Sequence, residues 1–371
     1  MAHDLIVVGA GILGLAHALA AVRIGKRVAV VERDAQANGA SIRNFGFVTV
    51  NGQQAGDCWL MAGRARMIWE RVVRDAKIDV LQRGMLVTAR RPEAEAVIHA
   101  FLATDMAEGC VFADRFILDE SAPYVHPQVT GALYSDHEIR VESRTALPQI
   151  ARWLAEAHGV DFFWSTAVHA VEAPRVITSR GEMRAEAVVV CPGDDYLSLF
   201  PERIAEWAPT RCKLHMLRVK PERPFRLKHP TMSDLGLARY LGYAELPEAA
   251  ALAARLDAEQ PEHRANGVHL IVVQSADGSL VVGDSHLYGP TPDPFQPQAV
   301  DDLILQEMDA ALNIGPWRVT ERWVGTYASR PDGWRMTDAP DPATRIVIVT
   351  AGCGASTAFA IGEETIEDLF G

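Results

Sequence analysis

The opening of the chain limits its fold more than any other stretch. Leu5-Ile6-Val7-Val8 is a short apolar run that stops at Gly9, and Gly9-Ala10-Gly11-Ile12-Leu13-Gly14 follows. An apolar helical stretch then reaches Ile24, and a second apolar run, Val28 to Val31, is closed by Glu32 and Arg33. This order predicts a strand, a glycine turn, a helix and a second strand with an acid at its tip. Such a unit grips a dinucleotide by its pyrophosphate and its adenosine ribose. Gly9 allows the tight turn, Gly11 lets backbone approach the phosphates, and Gly14 lets the helix lie close to the sheet. The helix starts at Gly14, and its free N–H groups and positive dipole end face the anion, with Ala10 and Ile12 in the turn counted among the cofactor-binding residues. Glu32 lies eighteen positions after Gly14. Its carboxylate can accept from ribose hydroxyls and would repel a 2′-phosphate, which disfavours NADP. The same apolar stretch could be taken for a signal peptide or anchor, but it lacks a basic leading region, and Asp4 and three glycines interrupt it.

The fingerprint alone does not choose between NAD and FAD. The next segment, Ser41-Ile42-Arg43-Asn44-Phe45-Gly46-Phe47, begins about ten residues past the acid. Here the chain resembles the D-amino-acid oxidase family of flavoproteins, which includes glycine oxidase and sarcosine oxidase. The resemblance implies that Ser41, Arg43, Asn44, Phe45 and Gly46 run along the pyrophosphate and under the flavin. It extends to Ala187-Val188-Val189-Val190-Cys191-Pro192-Gly193, similar to the family's returning strand, with Cys191 and Gly193 beside the cofactor. Val168, in a strand expected over 162–171, matches the position whose backbone reads the adenine edge. At the other end, a β-branched strand over 345–349 runs into Gly352-Cys353-Gly354-Ala355-Ser356-Thr357 and a helix over 358–369. A second glycine turn feeding a helix places partial positive charge where reduced flavin gathers negative charge. Family members usually carry a Met or Lys near Ala355-Ser356. This chain does not, so backbone contacts alone are implied there.

Composition narrows the partners. A net charge of −12 with no basic block makes nucleic acid and anionic membranes poor partners. The five cysteines form no C-x-x-C or metal spacing, and the twelve histidines form no H-x-x-x-H, so no metal site is expected. The cysteine usage fits a reducing cytoplasm.

The expected fold class is α/β: a Rossmann-like FAD-binding domain of the glutathione-reductase type, interleaved with a substrate domain built on an antiparallel sheet. The cofactor domain is expected over 1–80, 141–213 and 320–371, and the substrate domain over 81–140 and 214–319. Helices are expected over 57–76, 92–108 and from 141–144 to 158. Strands are expected over 85–89, 214–219, 268–274 and 280–283.

The substrate side is read from 323–335, Trp-Val-Gly-Thr-Tyr-Ala-Ser-Arg-Pro-Asp-Gly-Trp-Arg. Arg330-Pro331 resembles the family's Arg-Pro stretch that clamps a carboxylate over the flavin, and a planar guanidinium suits that task. Tyr327 either bonds the same anion or packs. His286 either binds the anion, helps proton transfer or is structural, and Tyr240 and Tyr243 are lid candidates. His215 and His269 read as core or sheet-face residues. Gly283-Asp284 also resembles a mark of aromatic hydroxylases, but a loop follows it rather than a long helix, which favours the amine-oxidase branch. The resemblance implies non-covalent FAD, because the Cys used for covalent attachment is missing near 327–334. It also implies oxidation of a small anionic amine to an imine that hydrolyses, with no dedicated base and with electrons passing to dioxygen or another acceptor. The ending over 352–360 and Gly283-Asp284-Ser285-His286 resemble a bacterial branch associated with phosphonate breakdown. That implies an N-substituted 2-aminoethylphosphonate giving phosphonoacetaldehyde. Glycine, sarcosine or D-amino acids are the alternative substrates. A dehydrogenase subunit passing electrons to a partner, or a tRNA-modifying flavoprotein, are alternatives of other classes, and the acidic pI of about 5.5 argues against the last.

Overall fold

In a computed structural model, which describes residues 3–371, the chain builds two sheets. The first runs in the order Arg335–Asp341, Thr344–Val349, Gly181–Val190, His3–Val8, Val28–Val31, Asp161–Phe163. All neighbours are parallel except the outermost pair, Arg335–Asp341 against Thr344–Val349. Its central strands are continuous apolar runs because helices or other chain cover both faces: Leu5, Ile6, Val7, Val28 to Val31 and Val188 to Val190 are all buried. The helix Ile12–Arg23 packs on one face, and the C-terminal helix Gly354–Phe370 packs against it. Their approach is close. A Cβ on Gly362 would meet the Ala16 carbonyl carbon at 2.8 Å. The helix Asp57–Asp75 covers the C-terminal helix, with the rings of Trp69 and Phe359 edge to face at 5.0 Å.

The second sheet runs Leu287–Gly289, Thr210–Pro221, Leu280–Gly283, Ile271–Gln274, Thr231–Met232, Val80–Ala89, Gly131–Val141, Phe47–Val48, with Trp317–Ser329 and Cys110–Asp114 added at its sides. It is antiparallel, as expected, except at one junction. Thr231–Met232 pairs in parallel with Leu86 and Val87. That junction joins the two excursions of the chain into one sheet. Trp317–Ser329 pairs along its length with Thr210–Pro221, so the residues before Ser329 run in this sheet.

Two expected elements are divided. The stretch expected as one strand over 162–171 is Asp161–Phe163 at the edge of the first sheet and Val168–Glu172 in a meander with Arg175–Thr178. The break includes Ser165, held at φ 51°, a conformation rare for a non-glycine residue. The helix expected over 92–108 ends at Leu102 and is followed by a 3-10 turn, Asp105–Ala107.

Candidate active site

Between the two sheets lies a cavity of about 680 Å³, within the usual range for a bound small molecule. One end is built on the first strand and its turn. Gly9 has φ +104°, and a Cβ there would stand 2.5 Å from the Cys191 carbonyl oxygen. A Cβ on Gly14 would stand 1.9 Å from the Gly9 carbonyl oxygen. No other residue fits either position. Glu32 closes this end. Its carboxylate accepts from the Ala10 N–H at 2.8 Å and from the Asp34 N–H at 3.0 Å. Arg33 is exposed at the mouth and pairs with Asp195 at 2.7 Å.

The loop after the second strand forms the next wall. The Ser41 hydroxyl accepts from the Ile12 N–H at 3.0 Å and so ties the loop to the start of the helix. Asn44 spends its side chain within the protein: it donates to Ala40 O, and its oxygen accepts from the Gly46 N–H and the Ser143 hydroxyl. Arg43 lines the cavity, and its carbonyl accepts from the Trp323 indole N–H at 3.1 Å.

The far end is a face of the second sheet. Gly325, Thr326, Tyr327 and Ala328, near the end of the strand Trp317–Ser329, line the cavity. Leu214 pairs with Gly325 across the ladder and lines it too. His269 and Ile271 continue the face, followed by Asp284 and His286 beyond Gly283. The turn at the C-terminal helix completes the enclosure with Gly352, Gly354 and Ala355. Both glycine turns therefore meet one cavity, at opposite ends of the sequence.

The predicted residues divide as follows. Gly9, Gly11, Ile12, Gly14, Glu32, Arg33, Ser41, Arg43, Asn44, Phe45, Val168, Cys191, Gly193, Gly352, Gly354 and Ala355 line the cavity, as do Tyr240, His286 and Tyr327. The others stand behind its wall. Ala10 is buried and turns its N–H to Glu32. Gly46 packs against Val141, where a Cβ would clash. Cys353 is a buried thiol that precedes the helix, the Ser356 hydroxyl accepts from the Thr49 N–H, and Thr357 donates to Cys353 O. Tyr243 is buried in the core against Phe101, at 4.9 Å between rings, so it cannot act as a lid. Arg330 is not in the cavity wall. Its guanidinium lies over the Trp207 ring at 5.1 Å.

A different arginine stands close behind the substrate end, outside the cavity lining itself. Arg239 follows the 3-10 turn Asp234–Ala238 and donates to the Tyr288 hydroxyl at 2.7 Å. Its charge also acts on Asp284 and Tyr327 and, with burial opposing, is held firmly protonated by them. Burial pushes the Asp284 carboxyl up to about 8, against the pull of Arg239. Burial drives His269 and His286 well below the usual histidine range and Tyr327 well above the usual phenol range. Sequence reasoning missed Arg239 because no periodic pattern marks a residue that leaves a 3-10 turn. The alternation of His269 with Ile271 is the signal that could have placed His269 on the cavity.

A parallel sheet with a glycine turn and ribose acid, roofed by a second sheet, defines a nucleotide-cofactor redox protein. Residues 4–367 match the family described as DAO, FAD dependent oxidoreductase, and the chain belongs to that family. It is thus an FAD-dependent oxidoreductase. No curated protein matches the sequence. Among solved structures, it is similar to glycine oxidase from Bacillus cereus at 17% identity and a TM-score of 0.79, covering 99% of this chain and 94% of that one. It is also similar to L-proline dehydrogenase from P. horikoshii at 16% identity and a TM-score of 0.80, covering 100% and 93%. L-alpha-glycerophosphate oxidase from Mycoplasma pneumoniae, with FAD bound, is similar at 16% identity and a TM-score of 0.74, covering 100% and 95%. These likenesses concern the fold. The cavity fits FAD on its own terms: it begins at backbone that no Cβ could occupy, and it ends on a sheet face with the second glycine turn beside it. No helix among the described residues is long and apolar enough to cross a membrane.

Proposed function

We propose that the protein oxidises a small anionic amine of the amino-acid type, with its head group held by Arg239. The observation that carries this reading is the charge of Arg239, which stands just behind the cavity wall, bonds the Tyr288 hydroxyl and acts on Tyr327 and Asp284 in the wall itself. A guanidinium beside phenol hydroxyls is a fitting receptor for a carboxylate. Arg239 thus takes the role that the family resemblance implies for Arg330.

Bound FAD supplies a two-electron acceptor. The residues of this chain do the rest. The glycine turn and Ser41–Phe45 would hold the dinucleotide, without covalent attachment, with Glu32 as acceptor for its ribose hydroxyls. Arg239 and Tyr327 would fix one end of the substrate and so limit its orientation. Leu214 and Ile271 exclude water from the same space. Oxidation gives an imine that hydrolyses once released, and electrons pass on to dioxygen or another acceptor.

The test is flavin bleaching under anaerobic conditions with glycine, sarcosine, D-amino acids, L-proline and N-methyl-2-aminoethylphosphonate, followed by reoxidation in air. Bleaching by one of the carboxylate amines is the expected result. Faster bleaching by the aminophosphonate would move the head group from carboxylate to phosphonate, and no bleaching by any amine would reject the reading. Slow reoxidation in air would replace dioxygen with a partner as acceptor.

A further inference from the structure

Amine oxidation needs the nitrogen lone pair, yet a small amine arrives at neutral pH mostly as its ammonium ion. The inference below rests on the amine reading and asks where that proton goes. We propose that Tyr240, His269 and Asp284 form a relay that takes the ammonium proton from bound substrate, with the lone pair of His286 Nε2 placed towards Asp284 once that carboxyl is protonated.

The geometry is a chain of short steps leading away from the cavity. Tyr240 lines the cavity, and its hydroxyl stands 3.1 Å from His269 Nε2. His269 Nδ1 stands 3.2 Å from Asp284 Oδ1. These two atoms face each other without an aligned hydrogen bond and have no other partner. Such contacts are often loose without substrate and tighten in the complex. The backbone clamps the pair in register: the His269 N–H donates to Asp284 O at 3.1 Å, and the Asp284 N–H donates to His269 O at 2.9 Å. His286 Nδ1 donates to Gly267 O at 3.0 Å, which leaves Nε2 facing Asp284 Oδ2 at 3.8 Å. The three residues are only 2%, 4% and 7% exposed, in the order His269, Asp284, His286.

The proton balance is simple. An N–H bond of the ammonium breaks and its proton passes to the Tyr240 oxygen. The phenol proton passes to His269 Nε2, and the Nδ1 proton passes to Asp284. The amine keeps the electron pair, and Asp284 ends as a neutral acid. Tyr240 touches the substrate, whereas His269 and Asp284 act through it. Titratable groups facing the relay are Arg239 from the 3-10 turn, Cys212 and Tyr327 from paired strands, and His286 and Tyr288 from the segment after Gly283. Burial raises Asp284 to about 8, which brings a carboxyl closer to an ammonium in proton affinity than an ordinary one. The three side chains could also face a metal ion, but the positive charge of Arg239 beside the carboxylate opposes a second cation.

The experiment uses the holoenzyme variants Asp284→Asn and Tyr240→Phe, with flavin content checked by absorbance. Rates of flavin reduction are followed across pH. Each variant should be slowed about 10²-fold near pH ~7 and return to within about threefold of wild type near pH ~10, where the substrate is already a free amine. Asp284→Glu should recover part of the loss at neutral pH. A loss that does not depend on pH, or no loss, overturns the relay. One equivalent of divalent metal in the wild type that is missing from Asp284→Asn also overturns it, in favour of a metal site. A wild type that no amine reduces rejects the amine reading instead.

Discussion

Arg330 and Arg239 illustrate what a residue's sequence neighbours reveal and what they hide. Arg330-Pro331 is a local signal, but the guanidinium goes to Trp207, well over a hundred positions away. Arg239 carries no signal and ends beside Tyr288. Removing a charged partner of a buried anion costs about 2–5 kcal/mol. Arg239→Ala should therefore raise KM roughly 10²-fold, whereas Arg330→Ala should change it by no more than about threefold. The opposite ranking would return the anion to Arg330. A second residue-scale effect belongs to His17, on the first helix. Its Nδ1 donates to Leu13 O at 2.7 Å, while burial lowers its pKa to about 4. The unfolded chain takes up this proton near pH ~6.5. His17 thus leaves stability intact above that pH and costs on the order of 3 kcal/mol as pH falls towards 4. His17→Leu should flatten the urea midpoint between those limits, and an unchanged slope would refute this.

At the scale of elements, the close crossing of Ile12–Arg23 and Gly354–Phe370 brings the two glycine turns together. A side chain at Gly362 would push against Ala16 and His17. Gly362→Val should cost about 1–3 kcal/mol and release flavin faster on dilution. Retention equal to wild type would show that the turns do not depend on this contact. The glycine turn, its helix and both central strands were legible because each carries its own local chemistry. The division of 162–171 was not, since Ser165 adopts a left-handed conformation that its identity does not advertise. The helix from Pro92 stops at Leu102 although Thr104 and Asp105 continue the polar pattern, because the chain tightens into a 3-10 turn there. The substrate face was only partly legible. The Arg-Pro resemblance put Tyr327 near the site and the strand ending at Gly283 put His286 there, but the parallel junction of Thr231–Met232 with Leu86 and Val87 pairs residues far apart in sequence.

Across the whole molecule, the cavity lies between sheets whose strands come from every part of the chain. Ligand that binds only the folded state stabilises it by mass action, by about 2.7 kcal/mol at a hundred times Kd. Added FAD should therefore raise the melting temperature of flavin-free protein in a concentration-dependent way. A melting temperature indifferent to FAD would mean that the cavity is not its site. Gly352, Gly354 and Ala355, which close the enclosure, follow all the strands of both sheets. A polypeptide on the ribosome that has not yet reached them lacks that wall, so the coenzyme can be captured only once they are made, and a product terminated before Gly352 should stay colourless.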